Sequence, residues 1–75
     1  MKQMTTTKLS ARNKLPGRVT GITEGQATAN VHVDVSGMTI VASITIEAVK
    51  ELGLVKGSEV TVIIKASDVM LATSD

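Results

Sequence analysis

Hydrophobic and polar residues alternate along two segments near the middle of the chain. Over residues 27–35, alanine and valine occupy every second position, with Thr28, Asn30, His32 and Asp34 between them. Over residues 38–46 the same alternation continues, mostly with isoleucine. A period of two residues is typical of a strand with one buried face. Ser36-Gly37 lies between the two segments and can form a tight turn, so the pattern predicts a β-hairpin.

The period changes after this hairpin. Ile46, Val49 and Leu52 lie three residues apart, and Gly53 follows them as a possible C-cap. This spacing predicts a short helix of about two turns over residues 45–54.

Three further strands are predicted outside the hairpin and the helix. One precedes the Glu24-Gly25 turn, one alternates over residues 60–65, and a short last one covers residues 69–71. Five strands with one helix before the fourth predict an all-β fold with one short helix, arranged as a five-stranded OB-like barrel.

The N-terminal part of the chain has no such periodicity. Residues 1–8 contain three consecutive threonines and are predicted to be a flexible extension ahead of a single domain over residues 9–73. Pro16 and Gly17 argue against a helix in residues 10–17, so an irregular extended segment is predicted to lead into the first strand.

Length and composition point to self-association. The chain has 75 residues, a size at which only about 60% of the unfolded surface is buried on folding. It has no Cys, which excludes disulfides, and no Phe, Tyr or Trp, so the core rests on aliphatic side chains. We therefore expect a homo-oligomer whose aliphatic core extends across a subunit boundary.

The net charge of +1 is unevenly distributed. Five basic residues precede the first acidic residue, Glu24, and concentrate positive potential in the N-terminal part: Lys2, Lys8, Arg12, Lys14 and Arg18. Such a distribution attracts anions. Lys2 and Lys8 are interpreted as solvated charges of the extension.

Several functional classes have little support in the sequence. His32 is the only histidine and lies on the polar face of a predicted strand, so it is interpreted as a surface or interface residue, and no enzyme activity is predicted. Scattered acidic residues do not form a metal-cation site. Stacking on nucleic-acid bases requires aromatic side chains. No membrane span or signal peptide is present in the sequence, which predicts a cytoplasmic protein without nucleic-acid or membrane partners.

Residues 10–17 contain the groups needed to bind a tetrahedral anion. Arg12 offers a planar fork of donors, Ser10 offers a hydroxyl, and an irregular backbone can direct N–H groups at one point. Lys65 is a second candidate cation, followed by the small residues Ala66 and Ser67. A solvated surface arginine is the alternative interpretation from residue types alone.

Three motifs resemble the molbindin (Mop) family and the related TOBE-type domains. They are Ser10-Ala11-Arg12-Asn13 with Leu15 and Gly17, the run over residues 48–54 followed by Gly57, and residues 63–67 leading to Val69-Met70. The resemblance extends over residues 9–73, about nine tenths of the chain. The resemblance implies an OB-like domain, a hexamer built as a trimer of dimers, and molybdate or tungstate bound between subunits.

The resemblance also implies site residues by position. One subunit is expected to contribute Ser10, Ala11 and Arg12, and its neighbour Thr45, Lys65 and Ala66, with Ser67 as a weaker candidate. The family often has Ser where this chain has Ala48, so only the backbone N–H of Ala48 is expected to donate there. The ligand implied is the intact oxyanion, held for storage or buffering, and sulfate is expected to be rejected because it is smaller.

Two other interpretations remain open. Residues 45–60 resemble the helix and strand of AbrB-type swapped-hairpin DNA-binding domains, although those domains lack a Ser-Ala-Arg-Asn segment. A structural or carrier module with a vestigial anion site is the other.

Overall fold

The computed structural model of the chain describes residues 12–74. It contains four strands and one α-helix: β1 (Asn13–Glu24), β2 (Thr28–Val35), β3 (Met38–Thr45), α1 (Ile46–Leu52) and β4 (Glu59–Ile64), followed by a 3-10 turn at Ala66–Asp68. The strands form one sheet in the order β3-β2-β1-β4, and every neighbouring pair is antiparallel. Strands β3 and β4 are therefore the two edges of the sheet. No helix in residues 12–74 is long and apolar enough to cross a membrane.

The core is aliphatic and centres on β2. Alternate residues of this strand, from Ala29 to Val35, are at most 5% exposed, and Val19 of β1 and Val49 of α1 pack with them. No polar or charged residue is buried within the described part of the chain. The alternation read from the sequence and the predicted hairpin of β2 with β3 are confirmed.

The first strand begins earlier than the sequence pattern predicts. Residues 13–17 belong to β1 and pair with β4, so the prediction of an irregular segment up to Gly17 is wrong from Asn13 onward. Pro16 is tolerated because its missing N–H would not face β4. The N–H of Val19 donates to the Ser58 carbonyl on the β4 side. Backbone N–H groups alternate in direction along a strand, so the nitrogen of residue 16 faces the opposite side. Pairing of β1 with β2 starts only at Arg18.

Gly17 allows β1 to cross closely over the end of β2. A Cβ atom at this position would lie 2.6 Å from Cγ1 of Val33 and 2.8 Å from the carbonyl oxygen of Asp34. The Asp34 carbonyl and the Val33 side chain both belong to β2, which is paired with its neighbouring strands and packed in the core. Moving either of them would cost considerable energy. Glycine is therefore required here by packing.

The predicted helix is confirmed, with both ends capped. Thr45 is the N-cap, and its Oγ1 accepts a hydrogen bond from the backbone N–H of Ala48 at 3.0 Å. Gly53 ends the helix in the left-handed conformation with φ of 64°, and its N–H donates to the Lys50 carbonyl. Only Val49 of the helix is buried, against β2 and its neighbours.

A closed five-stranded barrel is not formed. The described residues make four strands in an open sheet, so the mostly-β class with one helix is confirmed while the fifth strand at residues 69–71 is wrong. These residues follow the 3-10 turn without joining the sheet, and Met70 and Leu71 are 91% and 92% exposed. A strand needs a partner for its backbone groups, and no strand within residues 12–74 pairs with this segment.

Replacing Gly17 by alanine is expected to destabilise the fold by about 1–3 kcal/mol, because the new methyl group overlaps the end of β2. Gly21→Ala is the matched control: it lies on the same strand, and a Cβ there meets no atom within 4 Å. Urea unfolding of both variants at one protein concentration measures the difference. Equal stability of the two variants would contradict the close approach at Gly17.

Candidate functional site

The start of β1 and the end of β4 meet at one end of the sheet. Asn13 pairs with Ile64, and the side-chain Nδ2 of Asn13 donates to the Ile64 carbonyl at 3.1 Å. Arg12 directly precedes β1, and Lys65 directly follows β4. The register therefore brings the two predicted cations to adjacent backbone positions. Ser10 and Ala11, predicted to act with Arg12, lie outside the described residues.

The chain turns directly after Lys65. The N–H of Asp68 donates to the Lys65 carbonyl at 2.8 Å, and the N–H of Val69 donates to the Ala66 carbonyl at 3.2 Å. Within residues 12–74, the N–H groups of Ala66 and Ser67 have no hydrogen-bond partner. These two donors belong to exposed residues that directly follow Lys65 in the chain.

Positive charge predominates at this end of the sheet. Arg12, Lys14 and Lys65 are all exposed here, and Asp68 in the turn is the acidic residue close to them in the chain. An anion placed among these side chains is attracted by their positive charge and can accept their hydrogen bonds. The arrangement can bind an oxyanion by charge and hydrogen bonds.

Thr45 and Ala48 lie at the other end of the sheet. Thr45 pairs with Thr28, next to the pairing of Ala29 with Glu24 at the far end of β1. In this structure the N–H of Ala48 donates to Oγ1 of Thr45 at 3.0 Å. Because Oγ1 of Thr45 accepts that bond, the hydroxyl proton is left to donate outward.

One copy of the chain therefore assembles the predicted site in two separate halves. The first half is Arg12 with the turn that starts at Lys65, and the second is Thr45 at the start of α1. The register separates them by most of the length of β1. A single site that uses both halves needs two copies of the chain.

Two features bearing on the site were missed by sequence reasoning. Asn13 anchors the end of β4 through its side chain, and its place in the Ser-Ala-Arg-Asn motif was the available signal. The second feature is an apolar groove between the edge strands β3 and β4. The apolar residues 69–71 were the available signal, but they were interpreted as a fifth strand. The groove is lined by aliphatic residues and one threonine: Val31, Val33, Ala42, Ile44, Leu52, Leu54, Val60, Thr61, Val62 and Ile63.

The other polar residues do not form a competing centre. Arg18 pairs with Glu59 at 3.3 Å in the middle of the sheet, and both side chains are largely exposed. His32 is half-buried on the outer face of β2, opposite Val41. Across residues 12–74, no group of three His, Cys, Asp or Glu side chains is placed to hold a metal ion.

Thr45→Ala is expected to lower the free energy of unfolding by about 1 kcal/mol, because the Ala48 N–H loses its capping acceptor. Thr45→Ser keeps a hydroxyl and is the matched control. Thermal unfolding of the two variants without ligand separates the capping role from any role in binding. If serine and alanine cost the same, the capping bond contributes nothing.

Comparison with known proteins identifies the family. The TOBE domain family matches residues 9–71. A probable molybdenum-pterin-binding protein of Haemophilus influenzae is 46% identical over 65 residues, which is 85% of this chain and 94% of the relative.

Among solved structures, a molybdate-binding protein from Sporomusa ovata has a TM-score of 0.86 and 39% identity, covering 89% of this chain and all of that one. The cytoplasmic molybdate-binding protein ModG, with molybdate bound, has a TM-score of 0.82 and 43% identity, covering 85% of this chain and 46% of ModG. These similarities confirm the OB-like fold class. The chain therefore belongs to the TOBE domain family, and within it to the small molbindin (Mop) proteins.

Proposed function

We propose that this protein binds molybdate or tungstate as the intact oxyanion and stores or buffers it at sites completed between subunits of a homo-oligomer. The observation that carries the proposal is the register of β1 with β4, which brings Arg12 beside Lys65 next to two backbone N–H groups without partners in the described chain. Ser10 and Ala11 extend this half of the site by family position. The function is binding, with no catalysed reaction.

The ligand is inorganic in this proposal. Relatives are named for molybdenum-pterin or for molybdate. A pterin ring is usually held by stacking on aromatic side chains, and this sequence has none. A small dianion requires only charge and N–H or O–H donors, which the β1–β4 end provides. These facts favour the oxyanion over the pterin.

The separation of the two half-sites supports a location between subunits. Arg12 and Lys65 come from one end of the sheet, and the Thr45 hydroxyl is at the other end, so Thr45 joins them from a neighbouring copy. The family resemblance implies that Lys65 and Ala66 come from the neighbour of the subunit that contributes Arg12. In this proposal Lys65 and the residues after it come from the same subunit as Arg12, and only Thr45 comes from the neighbour. Ser67 supplies a backbone donor, and Ala48 orients the Thr45 hydroxyl.

The open groove supports self-association. Its aliphatic walls need a cover, and the apolar residues 69–71 follow β4 in every copy, with Met70 and Leu71 almost fully exposed in the single chain. Strand alternation places Val69 and Leu71 on one side and Met70 on the other. We propose that this segment of one copy fills the groove of another. A hexamer built from such dimers is the assembly implied by the family.

Selectivity follows from size in this proposal. Molybdate and tungstate are nearly the same size and larger than sulfate, so a site fitted to them leaves donors unpaired around sulfate. Each unpaired donor costs about 1–3 kcal/mol. A cytoplasmic location accords with this role, since the similar protein ModG is described as cytoplasmic.

Arg12→Ala is expected to weaken molybdate binding by about 10- to 150-fold, the equivalent of one charged hydrogen-bonding group. Arg18→Ala is the matched control, because it removes a cation from the same strand whose exposed ion pair with Glu59 contributes little to stability. Titration calorimetry with molybdate, sulfate and a free pterin measures all three ligands. Unchanged affinity in Arg12→Ala, or preferential binding of the pterin, would contradict the proposed site.

Leu71→Ser is expected to weaken self-association by about 2 kcal/mol for each exchanged segment, since a buried leucine side chain contributes about 1.5–3 kcal/mol. Met70→Gln is the matched control: it is equally exposed in one chain but lies on the other side of the segment. Sedimentation over a dilution series reports both. Equal effects of the two changes would show that the segment does not dock as a strand.

A further inference from the structure

We propose that Asn13 is a positioning residue of the anion site. Its side-chain amide occupies the carbonyl of Ile64, and this keeps the backbone N–H of Ser67 available to the oxyanion. The inference rests on the function proposed above and deepens it, because it names the residue that prepares one donor of that site. Asn13 itself does not contact the anion in this proposal.

The bond from Asn13 lies at the last pair of the β1–β4 ladder. Asn13 pairs with Ile64, and its Nδ2 donates to the Ile64 carbonyl at 3.1 Å. The side chain is half-buried on the same face of β1 as Leu15 and Val19, where a hydrogen bond is stronger than in water. The end of β4 is therefore held by a side chain as well as by backbone pairing.

The hydrogen bonds of the turn after β4 start at Lys65. In a 3-10 turn each carbonyl accepts from the N–H three residues further on, and the Lys65 carbonyl accepts from Asp68 in this way at 2.8 Å. The preceding carbonyl, that of Ile64, would accept from the N–H of Ser67 if the turn started one residue earlier. It accepts from Asn13 instead, and the Ser67 N–H has no hydrogen-bond partner within residues 12–74.

The backbone conformation of Lys65 agrees with this interpretation. Lys65 is extended, with φ of −66° and ψ of 136°. A turn that started at Ile64 would require ψ of about −20 to −30° at Lys65. The Ile64 carbonyl and the Lys65 N–H belong to one rigid peptide plane, so the bond from Asn13 fixes the plane from which Lys65 leaves the strand. Without that bond, rotation at Lys65 lets the turn start earlier and consumes the Ser67 donor.

The consequence for binding is the loss of one donor. An N–H that donates to a carbonyl of its own chain must break that bond before it can donate to an anion. The net contribution of one hydrogen bond corresponds to about 2- to 10-fold in affinity. Asn13 therefore contributes to binding through Ser67, at a distance from the ligand.

Asn13→Ala is expected to weaken molybdate binding about 2- to 10-fold in titration calorimetry of the full-length protein, because the Ser67 N–H becomes engaged within the turn. Asn30→Ala is the matched control: it also replaces a strand asparagine by alanine, at an exposed position of β2 that belongs to no part of the site. This control is expected to bind as the unchanged protein does. Equal affinity of Asn13→Ala and the unchanged protein would overturn the proposal.

Amide hydrogen exchange, measured by NMR without any anion, separates positioning from a general loosening of the sheet end. In the unchanged protein we expect rapid exchange at Ser67 and protection at Asp68, whose N–H donates to the Lys65 carbonyl. In Asn13→Ala we expect the Ser67 amide to exchange about 2- to 10-fold more slowly, because it then donates to Ile64. A loosened sheet end gives faster exchange at Asp68 and no protection at Ser67, and that result would overturn the proposal.

The two proposals fail in different ways. Protection of the Ser67 amide in the unchanged protein without an anion would rule out the role of Asn13, whether or not molybdate binds. If the unchanged protein does not bind molybdate, the function proposed above fails. The exchange rate of Ser67 in Asn13→Ala still decides, in that case, whether the Asn13 amide keeps this donor out of the turn.

Discussion

The structure depends on an aliphatic core that one copy of the chain leaves open. One face of β2 is almost completely buried, but β3 and β4 are edges, and the groove between them exposes the walls of the core. A chain of this size without aromatic residues or disulfides has a small core to stabilise it. We propose that a second copy closes the groove with the apolar residues after β4.

The same constraint organises the site. Because β1 and β4 are antiparallel, the beginning of one and the end of the other meet, and Arg12 and Lys65 are brought together by backbone pairing. The turn after Lys65 then leads into the residues proposed to close the groove. In this account, the end of the sheet that binds the anion and the segment that holds the copies together are consecutive in the chain, which explains how such a small domain can serve both purposes.

Much of the fold could be predicted from local patterns. The β2–β3 hairpin follows from the alternation of two residues, and the helix follows from its spacing of three with Thr45 and Gly53 as caps. The start of β1 could not be predicted, because proline and glycine are disfavoured in strands. Pro16 is accommodated because one side of the strand has no partner there, and Gly17 because the backbone passes close to β2. A fifth strand was predicted at residues 69–71 because they are apolar. An apolar pattern does not show which strand, if any, pairs with such a segment.

The site residues could be named from the sequence, but their arrangement could not. The residues proposed to bind the anion came from the family resemblance, while their arrangement required the register of β1 with β4. The hydrogen bond from the Ala48 N–H to the Thr45 hydroxyl also required the structure, because sequence alone does not show it. Which copy contributes each residue depends on contacts between chains, and these are outside what one chain determines.

We propose that a tetrahedral oxyanion lies between two copies of this chain, where the start of β1 meets the end of β4. Anomalous diffraction at the molybdenum edge from crystals soaked in molybdate can locate it. We expect a molybdenum peak whose oxygens lie within hydrogen-bond distance of Arg12 and Lys65 of one copy and of the Thr45 hydroxyl of another. A peak in the apolar groove, or one surrounded by a single copy without Thr45, would contradict it.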